Sequence, residues 1–368
     1  MENETAKSFD KHPHFIVREA EPFNAEPPPR LLRLSIVTPP ELFYVRNHAS
    51  VPEIDADSYQ LKISGLSNRE LQISLAELRE RFSSRTVTAT LQCAGNRRDG
   101  LMAVKEIGGE VSWGAQAIGN ASWTGVSLCD VLEFAGMTTD ARHVEFIGLD
   151  DVERKGARFG FGGSIPLEKG LSAEVLLAFE MNGAALAPVH GAPLRAIVPG
   201  YIGARSVKWL GEIKVKSEPS ENYFQAHAYK LFPPGVSAQT VDWNEGLMLG
   251  EVSVNSAICR PQEGETVRTG KCTVQGYAMA GGGRGVERVD VSGDNGQTWT
   301  EAKFDADDSS RWAWRFWEAE IDLEAGEAEI VARAWDSATN TQPEDARAIW
   351  NFKGYMNNAW HKVNVFQK

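Results

Sequence analysis

The strongest constraint on the fold lies in the last third of the chain. Long stretches there alternate apolar and polar residues with a period of two, and Gly or Asp-Asn-Gly turns separate them. These stretches are 266–280, 286–304, 311–323 and 327–337. The pattern predicts a run of antiparallel strands, at the spacing typical of an immunoglobulin-like β-sandwich. Tryptophans at 299, 312, 314, 317 and 335 are expected to fill the interior of that sandwich.

The preceding part of the chain mixes strand and helix patterns. Segments 74–82 and 127–137 have apolar residues at helical spacing, and each opens with a serine suited to N-capping. Strand patterns occupy 86–93, 142–150 and 193–199. Without a repeating strand–helix unit, this mixture predicts an α+β fold. The predicted organisation is an extended arm over 1–35, an α+β domain over 36–245 and the sandwich over 246–368.

Composition excludes several classes of function. The net charge of −12 and the lack of any Lys/Arg block argue against a nucleic-acid partner. No apolar run reaches the length of a membrane span, so we expect no membrane association. The four cysteines are widely spaced and the N-terminus has no export signal, which together predict a cytoplasmic protein. Because the overall charge is negative, an anionic substrate would need a local basic pocket.

Cys93 stands at the end of a predicted strand and is followed closely by Arg97 and Arg98. Nearby guanidinium groups favour the thiolate, which is the form that attacks substrates and coordinates metals. A buried structural thiol is the commonest state of a free cysteine. The local residues alone therefore leave three interpretations open: a structural cysteine, a nucleophile and a metal ligand.

A series of motifs in one order carries a resemblance to a known family. Besides "TLQCAGNRR" at 90–98, the chain contains "YVRNHASVP", "EVLLAFEMNG", "HGAPLRAIVPGYIGARSVKWLGEI", "YFQAHAYKLFPP", "VNSAI", "GYAMAGGGRGVERVDVSGDNGQTW" and "NAWHKV". From about residue 40 to the C-terminus the sequence resembles the sulfite oxidase family of molybdenum enzymes. The resemblance implies a molybdopterin-binding domain followed by an immunoglobulin-like dimerisation domain, and hence a homodimer.

The resemblance also implies the cofactor and the reaction. A single molybdenum would be held by a pyranopterin dithiolene (molybdopterin), with Cys93 as the protein ligand, since soft sulfur donors suit a redox-cycling metal. Mo(VI) would transfer an oxygen atom to sulfite and form sulfate, a step in sulfur metabolism. The N-terminal "KHPHF" is not the haem-binding motif of the animal enzymes. The chain therefore resembles the haem-free form, with an external electron acceptor such as dioxygen or a small cytochrome.

The family's functional residues carry over to matching positions. In the substrate pocket, the resemblance implies that Arg46 and Arg98 bind the anion, that Tyr229 donates a hydrogen bond and that Trp113 lines the wall. Lys353 stands where animal members carry an arginine of the same pocket, and Ala228 replaces an aspartate. The residues implied to bind the cofactor are Asn47, His48, Asp150, His190, Arg195, Ser206, Val207 and Lys208.

Three alternatives to sulfite oxidation remain at this level. Related members act as nitrate reductases or methionine sulfoxide reductases, and a third possibility is a non-catalytic binding protein built on the same fold. The retention of Cys93, Arg46 and Arg98 argues against a non-catalytic role. Lysine at 353 keeps a charge but lacks the planar fork of arginine, so the preference among oxyanions can differ.

Overall fold

The computed structural model describes residues 4–7, 9–154, 156–305 and 310–368. The N-terminal domain holds two five-stranded sheets. One has the order Gly162–Pro166, His143–Gly148, Leu210–Lys216, Gln60–Gly65 and Leu71–Ser74. The other has the path Ala184–Ala185, Leu176–Met181, Ile118–Ser127 and Ser84–Gln92, with Arg195–Ile197 also paired to Leu176–Met181. Their pairings are antiparallel, except that Leu210–Lys216 runs parallel to Gln60–Gly65.

The helices of this domain are short and lie against the sheets. Leu75–Arg81 begins with a capping box, in which Ser74 and Glu77 bond each other's backbone N–H groups. Leu128–Ala135 buries Leu128, Val131 and Leu132 in the main core. The α-helices are Glu4–Lys7, Pro29–Leu32, Leu75–Arg81, Arg98–Val104, Leu128–Ala135 and Leu167–Gly170. Short 3₁₀ turns cover Pro40–Leu42, Pro188–His190, Gly203–Arg205 and Ala346–Ile349, and a π-turn covers Phe224–Ala228. The predicted α+β character is confirmed.

The C-terminal domain is the predicted sandwich of two sheets. One sheet has the order Asn255–Arg260, Gly270–Met279, Arg315–Leu323 and Lys303–Phe304. The other has the order Glu265–Val267, His361–Gln367, Gly326–Asp336, Val286–Ser292 and Thr300–Glu301. The alternating residues Val274, Trp317, Val289 and Ala332 meet in the core between the sheets. Among the described strands of this domain, only Glu265–Val267 departs from antiparallel pairing, as it runs parallel to His361–Gln367.

The tryptophans of this domain do not all fill its core, contrary to the sequence expectation. Trp317 does, whereas Trp314 is buried in a separate cluster with residues of the N-terminal domain. Trp299 and Trp335 are half-buried around the Arg333 guanidinium, whose carbon lies 3.7 Å and 4.7 Å from the two ring centres. Stacking on a cation gives these two rings a partly exposed place that alternation alone cannot predict.

The N-terminal segment is packed, so the prediction of an extended arm is wrong. Ile16–Glu19 pairs antiparallel with Asn24–Glu26. Phe15, Phe23 and Ala25 are buried in a cluster with residues of the N-terminal domain. The segment is polar and proline-rich on average, but its few apolar side chains gather in this cluster. Small two-stranded ladders complete the fold: Val152–Arg154 with Ala157–Phe159, and Lys230–Leu231 with Leu247–Met248. In the part of the chain described, no helix is both long and apolar enough to cross a membrane.

Candidate active site

Cys93 lies at the end of the strand Ser84–Gln92, on the wall of a cavity. Its N–H donates to Ala117 O at 2.9 Å, and its Sγ accepts from Gly95 N–H at 3.4 Å. Burial raises the pKa of the Cys93 thiol, while the charges of Arg46 and Arg98 act in the opposite direction. The thiol is therefore placed among cations that would stabilise it as a thiolate ligand.

The cavity encloses about 690 Å³, a figure that includes open solvent at its mouth. Most of the residues singled out from the sequence line it: Arg46, Asn47, His48, Cys93, Asp150, His190, Arg195, Ser206, Val207, Lys208 and Tyr229. The lining also includes Phe43, Tyr44, Phe161 and Trp209, whose rings make the wall partly apolar. Residues far apart in the sequence are thus brought to one place.

One end of the cavity is strongly cationic. Arg195 donates to His190 O at 2.8 Å and to Ser206 O at 2.9 Å, but among the described residues nothing accepts from its buried Nε. Lys208 donates to Val189 O at 3.0 Å and to the side chain of Asn47. Burial, with Arg195 next in size, lowers the pKa of Lys208 well below its usual value. An anionic ligand here would relieve the repulsion and bind the unpaired donor.

His190 at this end is held by a residue that the sequence did not suggest. The Lys11 ammonium lies 2.6 Å from His190 Nε2 and also donates to Pro40 O at 2.6 Å and Phe43 O at 3.1 Å. While Lys11 is protonated it can only donate to Nε2, and the proton of the neutral ring then lies on Nδ1. Burial, together with Lys11, lowers the pKa of His190 well below its usual value, so the ring is neutral. No local pattern could reveal a contact across 179 positions.

A second network joins Arg46, His48 and Tyr229. Arg46 Nη2 lies 3.2 Å from His48 Nδ1, and His48 Nε2 lies 2.8 Å from the Tyr229 hydroxyl oxygen. Arginine can only donate, so Nδ1 accepts and Nε2–H donates to Tyr229. The hydroxyl proton of Tyr229 is then free to point at a ligand. Asn24 of the N-terminal hairpin, also missed from the sequence, accepts from Asn47 N–H at 2.7 Å and Arg46 Nη1 at 3.2 Å.

Asp150 closes another part of the wall. Its Oδ1 accepts from Phe161 N–H at 2.9 Å. Burial raises the pKa of the carboxyl, and the Phe161 hydrogen bond and the Lys208 charge oppose that rise. The side chain is thus positioned by backbone and lies beside the cationic end of the cavity.

Three predicted site residues, Arg98, Trp113 and Lys353, do not line the cavity. Arg98 is buried beneath the Cys93 turn, and a Cβ on Gly95 would lie 2.4 Å from its Nη2, which explains the glycine of the motif. Trp113 is fully buried in the cluster that contains Cys93, and its Nε1–H has no acceptor among the described residues. The Lys353 ammonium forms an ion pair with Glu110.

The two adjacent arginines of the "TLQCAGNRR" motif contact different parts of the molecule. Arg98 donates to Val111 O at 2.7 Å and to the carbonyls of Lys353 and Gly354, each at 3.1 Å. Arg97 instead points into the C-terminal domain, where it donates to Asn255 Oδ1 and to Ala359 O, both at 2.7 Å. The motif therefore joins the thiol, the site and the second domain.

The site fits the group that the sequence resemblance implies. It offers one thiol, a cationic end with an unpaired guanidinium N–H, and ring and backbone surfaces between them. These are the donors needed by a metal with an anionic organic ligand. Fold and site together thus define a class of protein whose cavity suits an anionic organic cofactor.

Comparisons with known proteins give that class a family. Residues 48–224 match the model of the oxidoreductase molybdopterin binding domain, and 247–368 match that of the Mo-co oxidoreductase dimerisation domain. The chain is 42% identical to the sulfite oxidase of Arabidopsis thaliana, over 98% of this chain and 96% of that protein. It is 45% identical to mitochondrial sulfite oxidase of Homo sapiens, over 97% of this chain and 66% of that protein's length.

A solved structure agrees with these matches. The sulfane dehydrogenase SoxCD from Paracoccus pantotrophus superposes with a TM-score of 0.77 at 27% identity, covering 91% of this chain and 82% of that one. The chain belongs to the sulfite oxidase family.

Proposed function

We propose that the protein is a molybdenum-dependent enzyme that oxidises sulfite to sulfate. Sulfite and water give sulfate, a pair of protons and a pair of electrons. The observation that carries the proposal is the meeting of the Cys93 thiol, Arg46 and Tyr229 on the wall of one cavity whose other end is cationic. The likeness in sequence to sulfite oxidases supports it.

The cofactor would lie along the cavity. Arg195, Lys208 and His190 would bind its anionic end, with Asp150 and the Ser206–Val207 backbone beside it, and Cys93 would bind the molybdenum. When bound, this group supplies the two-electron redox change that accompanies oxygen-atom transfer. The protein's part is to hold the cofactor, to bind the substrate anion and to exclude competing ligands.

The substrate end depends on charge and on one proton. Arg46 lies on the cavity wall, and Arg98 and Lys353 lie behind it, so a dianion would meet preformed positive charge. Burial raises the pKa of Tyr229 to about 12, so its hydroxyl stays protonated and can donate to a substrate oxygen. Trp113 packs behind Cys93 and would shape this end of the site.

The remaining parts of the proposal concern assembly and electron flow. The C-terminal domain is proposed to form a homodimer, which its match to a dimerisation domain supports. Electrons are proposed to leave to an external acceptor, dioxygen or a small cytochrome, without haem in this enzyme. A cytoplasmic location is proposed, and the free state of all four cysteines is compatible with a reducing compartment. Light scattering, visible spectra and cell fractionation test these points.

The central experiment is a steady-state assay of molybdenum-loaded protein. With ferricyanide as acceptor we expect turnover of sulfite, and a metal content of about one molybdenum per chain, as one cysteine ligand implies. Nitrate, methionine sulfoxide and thiosulfate, assayed in parallel with suitable electron donors or acceptors, represent the other reactions open to the family. A loaded enzyme that ignores sulfite and turns over one of these would replace the proposal.

The cysteine gives a sharper form of this test. Cys93→Ser should abolish sulfite turnover even in preparations that retain the pterin, because a hydroxyl is a poor substitute for a soft thiolate ligand. Cys129→Ser is the matched control, since that thiol is half-buried outside the cavity. Full activity of the Cys93 variant would show that the thiol is not the metal ligand.

A further inference from the structure

The positive charges behind the cavity wall are already shared with a carboxylate of this chain. Glu110 pairs with the Lys353 ammonium through one oxygen, and its other oxygen lies 3.6 Å from Arg98 Nη2. The exposed fractions of the three side chains are 12% for Glu110, 19% for Lys353 and 2% for Arg98. The pairing is therefore shielded from water, and the carboxylate occupies charge that an incoming anion would use.

Glu110 is connected to the site through Tyr355. The Tyr355 ring stacks on Tyr229 with centroids 5.2 Å apart, and the Arg98 guanidinium carbon lies 5.0 Å from the Tyr355 ring centre. Burial raises the pKa of Tyr355 well above its usual value, and the Glu110 charge is the next contribution in size. The Glu110 charge thus acts on Tyr355, whose ring stacks on Tyr229.

The backbone around Glu110 combines an anchor with a free turn. On one side, Val111 O accepts from Arg98 Nη1 at 2.7 Å. On the other side, Gly108 and Gly109 are exposed, and among the described residues nothing lies within 4 Å of a Cβ placed on either glycine. Gly109 has a φ of +72°, a conformation that suits glycine. The turn before Glu110 is therefore free of contacts from the described side chains at its two glycines, which leaves the Glu110 side chain room to move away from Lys353.

We propose that Glu110 is a specificity-determining residue: an internal anion that occupies Lys353 and Arg98 until the substrate displaces it. This inference rests on the proposed function, because it assumes that the substrate is an oxyanion bound by these cations. A dianion competes with one carboxylate more effectively than a monoanion does, so Glu110 favours doubly charged substrates. It also limits the affinity for sulfate, which promotes product release.

The competing explanation is that Glu110 only holds Arg98 and Lys353 in place. The two roles predict opposite signs for Glu110→Gln. If the carboxylate competes with substrate, its loss lowers KM for sulfite and the Kd for sulfate by about fivefold to tenfold, as expected for one close charge. If it only positions the cations, the same variant raises both constants.

The experiment compares the loaded wild type with Glu110→Gln and Glu106→Gln. Glu106 is exposed and lies four positions earlier, so its variant removes the same charge without touching the pair. Sulfite kinetics and calorimetric titration with sulfate are measured for all three, and nitrate titration supplies the monoanion. We expect tighter sulfate binding and lower KM only in Glu110→Gln, with a larger gain for nitrate than for sulfate, because the preference for the dianion is lost.

Unchanged or weaker sulfate binding in Glu110→Gln would overturn the inference. Glu110→Asp keeps the charge, so recovery of the wild-type sulfate affinity in that variant supports competition by charge. The sulfate titration does not depend on turnover. If the wild type oxidises sulfite but Glu110→Gln binds sulfate no more tightly, this inference alone is refuted. If the wild type does not turn over sulfite but Glu110→Gln still binds sulfate more tightly, only the proposed function is refuted.

Discussion

His48 Nε2 lies 2.8 Å from the Tyr229 hydroxyl oxygen, and Arg46 fixes which of the two donates. Because Arg46 donates to Nδ1, the imidazole must present its proton to Tyr229. Burial, and next the Arg46 charge, lower the pKa of His48 well below its usual value, which favours this neutral form of the ring. His48 is therefore a positioning residue for the Tyr229 proton.

The first prediction follows from this coupling. His48→Phe keeps the ring stacked on Phe161, whose centroid lies 5.1 Å away, but removes both hydrogen bonds. We expect kcat/KM for sulfite to fall roughly tenfold, since one such bond contributes about 1–2 kcal/mol. The double variant with Tyr229→Phe should be no worse than Tyr229→Phe alone, because both changes remove one network.

Pterin content is measured in each variant, since His48 also lies on the cavity wall. The exposed His14 supplies the control His14→Phe, which should behave as wild type. Fully additive losses in the double variant would mean that His48 does not act through Tyr229.

The second prediction concerns Gly354. Its φ is +61°, and a Cβ at this position would lie 2.6 Å from Arg98 Cγ. Gly354→Ala therefore strains the backbone and pushes Arg98 from its three carbonyls. We expect the free energy of unfolding to fall by about 1–3 kcal/mol and KM for sulfite to rise. Gly235→Ala is the control for urea unfolding and kinetics, since the position is exposed and no described residue lies within 4 Å of an added Cβ. Equal effects of the two substitutions would mean that Gly354 does not hold Arg98 in place.

The third prediction concerns the link between the domains. The buried Arg97 guanidinium donates to Asn255 Oδ1 and Ala359 O at 2.7 Å. Arg97→Met leaves these acceptors without a donor, at a cost of about 3 kcal/mol or more. We expect calorimetry to show a lower melting temperature and separate unfolding of the two domains. Arg268→Met, on an exposed turn of the C-terminal domain, should leave a transition like that of the wild type. A single unshifted transition in Arg97→Met would rule out a linking role.

Local chemistry made much of the fold predictable from the sequence. The Ser74 cap, the alternation of 311–323 and the strand that ends before Cys93 are each decided by neighbouring residues, and the structure has all three. The site could be predicted only because its sequence motifs are distinctive. Eleven of the fourteen residues singled out line one cavity. Whether those residues carry the assigned roles stays a prediction.

The missed residues share a physical reason. Lys11, Asn24 and Glu110 act through contacts with His190, Asn47 and Lys353, which are separated from them by long stretches of chain. A lysine or glutamate in a polar segment is usually a solvated surface group, so composition gives no sign that such a residue is buried against a site. Only the packing of the N-terminal hairpin, and the turn before Val111, bring these charges to the site.

The last prediction uses Lys11, whose pKa burial lowers from 10.5 to about 7. In the unfolded chain the group keeps a pKa near its ordinary value. Between about pH 7 and pH 10.5 the unfolded state therefore binds more protons than the folded state. The contribution of Lys11 to the free energy of unfolding must therefore rise with pH, by up to about 1.4 kcal/mol per pH unit.

Urea unfolding of matched preparations at several pH values between 7 and 10 measures this difference. Lys11→Met should lose the rise with pH, whereas Lys303→Met, at an exposed strand position, should keep it. Because Lys11 also contacts His190 Nε2, the Lys11 variant should retain less pterin during purification than the control. A pH dependence of stability equal in the two variants would mean that Lys11 stays protonated in the folded protein across this range, against the lowered pKa.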